Sequence, residues 1–454
     1  MIGKVNKCLW FAALFIVAMV SCSKFPEYEP DPKKEGKDGG DAGSVTFVLH
    51  SNLAADTTRE VDFTTGEVAG EPRWLPEKDG YLFAGWFKDK DCKEAFDFDT
   101  EVIGAPMDLY AGYVKDIVLA DKGKVARVTG STLAGESLPN PNDTQKNWKV
   151  GGTDLGIIWE MSPGKYGVFF GDTFSRSNFD GDWRSNVLGF TENTDLENGL
   201  KFTSFYHEGG NTSFAQAVII RENHFSFTYI PTAAIELNGK QYMHYMYWEV
   251  GSGERVTENY SSFCVSGNDG KTWERNRSCE FAWDSYFGMV ALAKKDNDPY
   301  CYMLGTKTGC NHGYRTSPAK MARFKYDDIL NKKNYEFWNA AKGKWVKGKE
   351  NEASIVLEGT VGEASMQYLE KYGLWIAMYF DSETYSISYS TAARPQGPWS
   401  KDRVLCSGTT SGYSQLYGSF IHPLSCGPDS DTIYWTMSLW GPYNVFLMKA
   451  DINQ

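Results

Sequence analysis

No segment of this 454-residue sequence is apolar for long enough to cross a bilayer. The longest such run, residues 8–20, is 13 residues, and at about 1.5 Å per residue a helix of that length falls well short of a hydrocarbon core about 30 Å thick. Positive charge is also short. The 46 Lys and Arg against 58 Asp and Glu leave a formal net charge of −12, so there is no basic field to draw a nucleic acid. No HExxH, GxSxG, EF-hand loop or dinucleotide fingerprint is present, which removes the usual support for a metalloprotease, a serine hydrolase or a Rossmann enzyme. Cysteine offers no scaffold. Beyond Cys8 and Cys22 there remain Cys92, Cys264, Cys279, Cys301, Cys310, Cys406 and Cys426, an odd set without CxxC or zinc spacing that allows one or two bridges and leaves a free thiol. The 45 Gly and 17 Pro follow no period, which excludes collagen and low-complexity classes.

What is abundant is aromatic: 15 Trp, 26 Tyr and 27 Phe, within 42% hydrophobic and 23% charged residues. Such a chain buries a large core and is not globally disordered. Its start reads as an export signal, with Lys4 and Lys7, the short apolar run, then Ser21 and Cys22. Met19-Val20-Ser21-Cys22 resembles a lipobox, which implies a bacterial lipoprotein signal over 1–21 and acylation of Cys22. The polar, Pro- and Gly-rich stretch 22–43 suits a flexible tether. The expectation is a monomer anchored by lipid at the bacterial outer membrane or cell surface.

Residues 44–114 form a unit of their own, opening on the alternation VTFVLH and closing on LYAGYV. Its GYLFAGW and LYA segments resemble the internalin-type B-repeat of bacterial surface proteins. That resemblance implies a small β-grasp-like module with Trp86, Phe87 and Phe96 in its core, serving as a spacer or interaction module. From about 118 onward five aromatic segments recur, starting at 165, 241, 299, 372 and 432. Turn clusters separate them, with one short helix candidate at 318–330. A unit of about 67 residues suits a four-stranded blade with long loops. The reading is all-β: a five-bladed β-propeller over 118–454, with a pair of β-sandwiches as the alternative. SGNDGKTW (266–273) fits an Asp-box hairpin, in which Asn bonds the turn and Trp273 packs beneath.

With metal and nucleophile motifs absent, carboxylates are the candidates for chemistry. Hydrolysis of a glycosidic bond needs two carboxyls in different protonation states, about 5–9.5 Å apart. GGTDLG places Asp154 at the entry to the first blade, FFGDTF places Asp172 at the end of its aromatic strand, and GEASMQY places Glu363 before the fourth aromatic strand. Trp183, Arg184 and Asn186 in DWRSN, His312 and Arg315 in NHGYR, His422 in FIHP, and Trp440, Tyr443 and Asn444 in LWGPYN lie beside these acids as substrate-binding candidates, although each alone also suits a structural role. The series GTDLG, FGDTF, SNVLGF, IPTAAI, GEASMQY, GPWS, FIHPLS and LWGPYNV resembles domain-of-unknown-function family 4185, which overlaps glycoside hydrolase family 183 with its endo-D-arabinofuranosidases. The resemblance spans about 145–454. It implies a five-bladed propeller and an acid pair at Asp154 and Asp172, with Glu363 added as proton donor by analogy with other furanoside-cleaving propellers. No cofactor is required by this chemistry, and calcium in the channel is left open. The substrate expected is a polysaccharide, an arabinan, with no nucleic-acid partner. A non-catalytic glycan-binding lipoprotein is the alternative. A sialidase lacks support because arginine is sparse.

Overall fold

The computed structural model describes residues 43–220, 227–249, 259–307 and 317–454. The lipoprotein signal, Cys22 and the tether up to residue 42 lie outside them, as do Cys310, His312 and Arg315. Alternating apolar residues set the first sheet, since strand side chains point to opposite faces in turn. Strands β1 (Ser44–His50), β2 (Thr58–Thr64), β3 (Tyr81–Phe87) and β4 (Met107–Lys115) run in the order β2-β1-β4-β3, with β1 and β4 parallel at the centre. No helix crosses this sheet. Phe47, Phe83, Trp86, Phe96 and Leu109 are buried in its core, whereas Phe87 is half-buried and covers Gly112, where a Cβ would lie 2.1 Å from the ring.

Among the described residues, the rest of the chain is all-β apart from one five-residue helix, Thr144–Trp148, and short 3₁₀ turns. After β5 (Val118–Arg127), strands β6 (Leu155–Ser162) and β7 (Lys165–Phe170) lead to a separate hairpin of β8 (Thr173–Arg176) and β9 (Asp180–Arg184). Strands β10 (Val187–Thr191) and β11 (Ser204–Phe205) complete the sheet β11-β10-β7-β6. The next sheet is β12 (Phe227–Leu237), β13 (Lys240–Glu249), β14 (Tyr260–Ser266) and β15 (Glu274–Ala282), in sequence order. Strands β16 (Met289–Lys294), β17 (Tyr300–Thr306) and β18 (Ser317–Lys325) follow, with β19 (Glu336–Asn339) and β20 (Lys344–Lys347) hung on β18. The long β21 (Ile355–Leu369) pairs with β18 through its first half and with β22 (Leu374–Asp381) through its second, so that β23 (Ser386–Ala392) and β24 (Arg403–Ser407) end a nine-stranded sheet. The last sheet is β25 (Leu416–Ile421), β26 (Thr432–Leu439), β27 (Asn444–Asn453) and, on its outer edge, β5.

The aromatic segments of the sequence become β7, β13, β17, β22 and β26, and each pairs antiparallel with the strand just before it. Those preceding strands touch in a closed cycle, β6 to β12 to β16 to β21 to β25 and back to β6. A cavity of about 270 Å³ lies where they end, lined by residues that include Trp159, Glu236, Lys294, Gln367 and Pro423. Four of the five also break register, near the start at Gly156 and Gly418 and in mid-strand at Thr232 and Gly362-Glu363. Such bulges re-aim side chains at the rim of a sheet. The helix candidate at 318–330 is instead β18 followed by a 3₁₀ turn at Tyr326–Asp328. Pairing with β17 and β21 on its two sides satisfies the β18 backbone and overrides the local helix signal. The SGNDGKTW turn forms as read: Asn268 accepts from the Thr272 amide at 2.9 Å, and the Trp273 ring packs 5.3 Å from Phe169. The cysteines described are free, four of them buried.

The N-terminal sheet, read as a spacer or interaction module, is docked on the body. A Cβ on Gly70 would lie 1.8 Å from the Lys342 carbonyl and one on Gly343 2.1 Å from the Glu71 carbonyl, so only glycines allow the two backbones to meet and the Glu71 amide to reach the Gly343 carbonyl at 2.9 Å. Arg394 binds Glu71 at 2.5 Å, and Arg323 joins Asp99 and Glu336 at 2.7 Å each. Arg323→Ala leaves two carboxylates without their cation. We expect a loss of about 2 kcal/mol, between the values for exposed and buried pairs, and a coupling of similar size between Arg323 and Asp99 in a double-mutant cycle read by urea unfolding.

Two histidines are fully enclosed. His244 on β13 meets the Thr232 hydroxyl, and His422 accepts from the Leu424 amide at 3.2 Å while its ring lies 4.8 Å from Tyr166. His422 is therefore a buried cap of a 3₁₀ turn, correcting its reading as a substrate contact. Burial pulls both imidazoles down to about 3. They stay neutral in the fold while the unfolded chain takes up protons below about 6.5, so stability present above that pH is lost as pH falls toward 3. The expected slope is up to about 1.4 kcal/mol per pH unit per histidine. His422→Asn, which keeps an acceptor for Leu424, should flatten the pH dependence of the urea midpoint by one histidine's share.

Candidate functional site

Two positive-φ residues, one of them a strained leucine, bring Asp154 into place. Leu155 (φ +70°) and Gly156 (φ +89°) turn the chain into β6, and a left-handed leucine persists only where its surroundings hold it. The Gly171 amide donates to the Asp154 carbonyl at 3.2 Å, and a Cβ on Gly171 would sit 2.4 Å from Asp154 Oδ1. The carboxylate fills the space that a side chain would need. From β25, the Tyr417 hydroxyl donates to Asp154 Oδ2 at 2.9 Å.

Asp172 follows Gly171 directly. Its Oδ1 accepts from Trp183 Nε1 at 3.0 Å and from the Thr228 hydroxyl of β12 at 2.7 Å. Tyr443 links the two acids. Its hydroxyl donates to the Asp172 backbone carbonyl at 3.0 Å and adjoins the Asp154 carboxylate, while its own carbonyl accepts from the Thr153 amide at 2.8 Å. Burial, followed by the negative charge of Asp154, pushes the Tyr443 phenol well above its ordinary value, so it remains a neutral donor. Side chains from three sheets thus converge on Asp154 and Asp172. Hydrogen bonds from neutral donors favour the charged form of a carboxyl.

Glu363 is 8% exposed and occupies the bulge where β21 passes from β18 to β22. It is not on a strand adjacent to Asp154, because β25 runs between β21 and β6 in the cycle. Trp183 and Tyr443 stand against the acids, and Trp440 is 47% exposed beside Tyr443, with ring centroids 5.5 Å apart. Three other candidates are corrected. Arg184 is 7% exposed and spends its guanidinium on the carbonyls of Ala215 and Lys149. Asn186 is buried, accepting from the Val218 and Ile219 amides and donating to the Tyr229 carbonyl. Asn444 accepts from Arg127 at 2.7 Å and donates to the Gly151 carbonyl at 3.1 Å. In each case buried backbone polar groups needed a partner, and these side chains supply it. Tyr417, Thr228 and Phe179 belong to the neighbourhood but were missed. The segment YGSFIHP drew attention to its histidine, whereas the tyrosine six residues from its end is the one that reaches an acid. Among the described residues no group of three or more His, Cys, Asp or Glu is placed to hold a metal ion.

Similarity to known proteins follows the same division of the chain. Residues 44–112 match the Listeria-Bacteroides repeat domain, and residues 139–449 match the domain of unknown function DUF4185. Notoamide biosynthesis cluster protein J' of Aspergillus versicolor is 28% identical over 325 residues, covering 66% of this chain and 83% of that protein. Its counterpart J from Aspergillus sp. (strain MF297-2) is 27% identical over 327 residues, covering 66% and 82%. The solved α-L-arabinofuranosidase of Podospora anserina overlays 74% of this chain and 98% of its own at 10% identity, with a TM-score of 0.40. With more than half of its length matched, from the helix before Asp154 to the last strand, the chain belongs to the DUF4185 family.

Proposed function

We propose that this protein is a glycoside hydrolase acting on a furanoside polysaccharide, most specifically an endo-acting enzyme on D-arabinan, built on a five-bladed propeller. The observation that carries the proposal is the junction at Tyr443, which holds two carboxylates from one sheet against hydroxyl and indole donors from its neighbours. Glycosidic cleavage takes a charged carboxylate to stabilise or attack the sugar carbon, or to activate water, and a second carboxyl to protonate the leaving oxygen. Asp154 and Asp172, each accepting hydrogen bonds from neutral donors, suit the charged role. Glu363, enclosed on β21 with β25 between it and β6, is assigned the proton donor. The half-exposed Trp440 offers a flat apolar face to a sugar ring. In this reading the five preceding strands are the innermost strands of five blades, and the N-terminal sheet is a repeat module fixed to strands and turns farther out.

The activity is tested with soluble D-arabinan and plant arabinan, following released oligosaccharides. We expect Asp154→Asn and Asp172→Asn to lower turnover by about 10²–10⁴-fold while leaving the melting temperature within a few degrees. Glu363→Gln should do the same on polymer yet recover on a substrate whose leaving group needs no proton. Near-normal cleavage by both aspartate variants excludes the pair, and absence of cleavage by the unaltered protein on all arabinans excludes the activity. We also propose lipid anchoring at Cys22. Cys22→Ser should release the protein from the membrane fraction, and unchanged fractionation would rule the anchor out.

A further inference from the structure

We propose that Phe179 and Trp440 form a stacking platform for a neutral sugar unit of the glycan, next to the carboxylates but outside the bond-breaking position. This rests on the glycosidase reading of the same site. The link between β8 and β9 is only Ser177, Asn178 and Phe179, and both Asn178 (φ +60°) and Phe179 (φ +57°) are left-handed. Asparagine tolerates that conformation and glycine is the usual choice in hairpin links, but a phenylalanine is disfavoured there by its Cβ. The ring gains little shelter in return, because Phe179 is 42% exposed. A bulky apolar residue held in a costly backbone conformation at an open surface is a poor solution to folding alone.

Its neighbours show where the ring is directed. Phe179 lies 4.4 Å from Tyr443 and 5.2 Å from Trp440 between ring centroids, and Trp440 lies 6.4 Å from Tyr417. Tyr417 and Tyr443 are the two phenols that meet Asp154. The platform is therefore one side chain away from the acids, which fixes it as a continuation of the site and not a separate patch. The hairpin is tied down at both flanks: Arg176 pairs with Asp180 at 3.0 Å, and Ser177 donates from its amide and hydroxyl to Gln145 at 3.1 and 2.8 Å. Two half-exposed rings are far too small a surface for a stable protein partner, which buries about 800 Å² on each side. Carboxylates close by and a net charge of −12 disfavour a polyanion. A neutral carbohydrate, with an apolar C–H face for the rings and hydroxyls left in water, fits both conditions.

The test is affinity electrophoresis of the whole chain in gels containing arabinan, arabinogalactan or xylan, with turnover and thermal melting measured in parallel. Phe179→Gly relieves the backbone while removing the ring, so its melting temperature should hold or rise as its glycan affinity falls by about tenfold or more, and Trp440→Ala should weaken affinity to a similar extent. Retardation of both variants equal to that of the unaltered protein overturns the platform even if cleavage persists, and so does a sharp drop in melting temperature for Phe179→Gly, which makes the ring a structural plug. Retardation that depends on the two rings without any cleavage upholds the platform and removes the hydrolase reading. An unaltered protein retarded by none of the glycans overturns the platform.

Discussion

Closure of the ring by strands from opposite ends of the body is the constraint on which the rest depends. Strand β5 supplies the outer edge of the last sheet, pairing antiparallel with β27 from Val118 opposite Asn453 to Arg127 opposite Phe446. At the end of that seam Arg127, with no exposed side-chain surface, binds Glu136 at 2.8 Å and Asn444 at 2.7 Å, and Asn444 passes the connection on to Gly151. At the opposite edge of the same sheet β25 lies beside β6. Tyr417 and Tyr443 then reach Asp154 from more than two hundred residues away in sequence.

Backbone geometry makes the room that the carboxylates occupy. Each acid sits beside a glycine or a positive-φ residue, where the absence of a side chain or the strain of the turn opens room for the carboxylate. Among the described contacts, neutral phenol, indole and hydroxyl groups donate to Asp154 and Asp172, and burial keeps the Tyr443 phenol protonated. Bulges at Gly156 and Gly418, near strand starts, and at Gly362-Glu363, within β21, re-aim the side chains beside them.

Docking of the N-terminal sheet adds a second rigid element. Its contacts fall on residues of β18, the β19–β20 turn and the segment after β23, whereas Asp154 and Asp172 lie where the first, second and last sheets of the body meet. A glycine-to-glycine backbone approach and two partly buried arginine pairs leave the module little freedom to swing.

Much of this was legible in the sequence because it is local. Aromatic segments marked β7, β13, β17, β22 and β26, SGNDGKTW marked a turn by side chains that bond within five residues, and the Gly-flanked acids GTDLG and FGDT marked a place where chain reversal and charge coincide. Distributed motif resemblance identified the family. What the sequence left open was decided by contacts between distant segments. Asn186, Arg184, Asn444 and His422 look like sugar ligands in one dimension, yet each is taken up by backbone groups that the fold buries. The stretch after Pro318 became a strand because partners waited on both of its edges. Tyr417 and Thr228 carried no local signal, since a hydroxyl gains its meaning only from the carboxylate that ring closure brings to it.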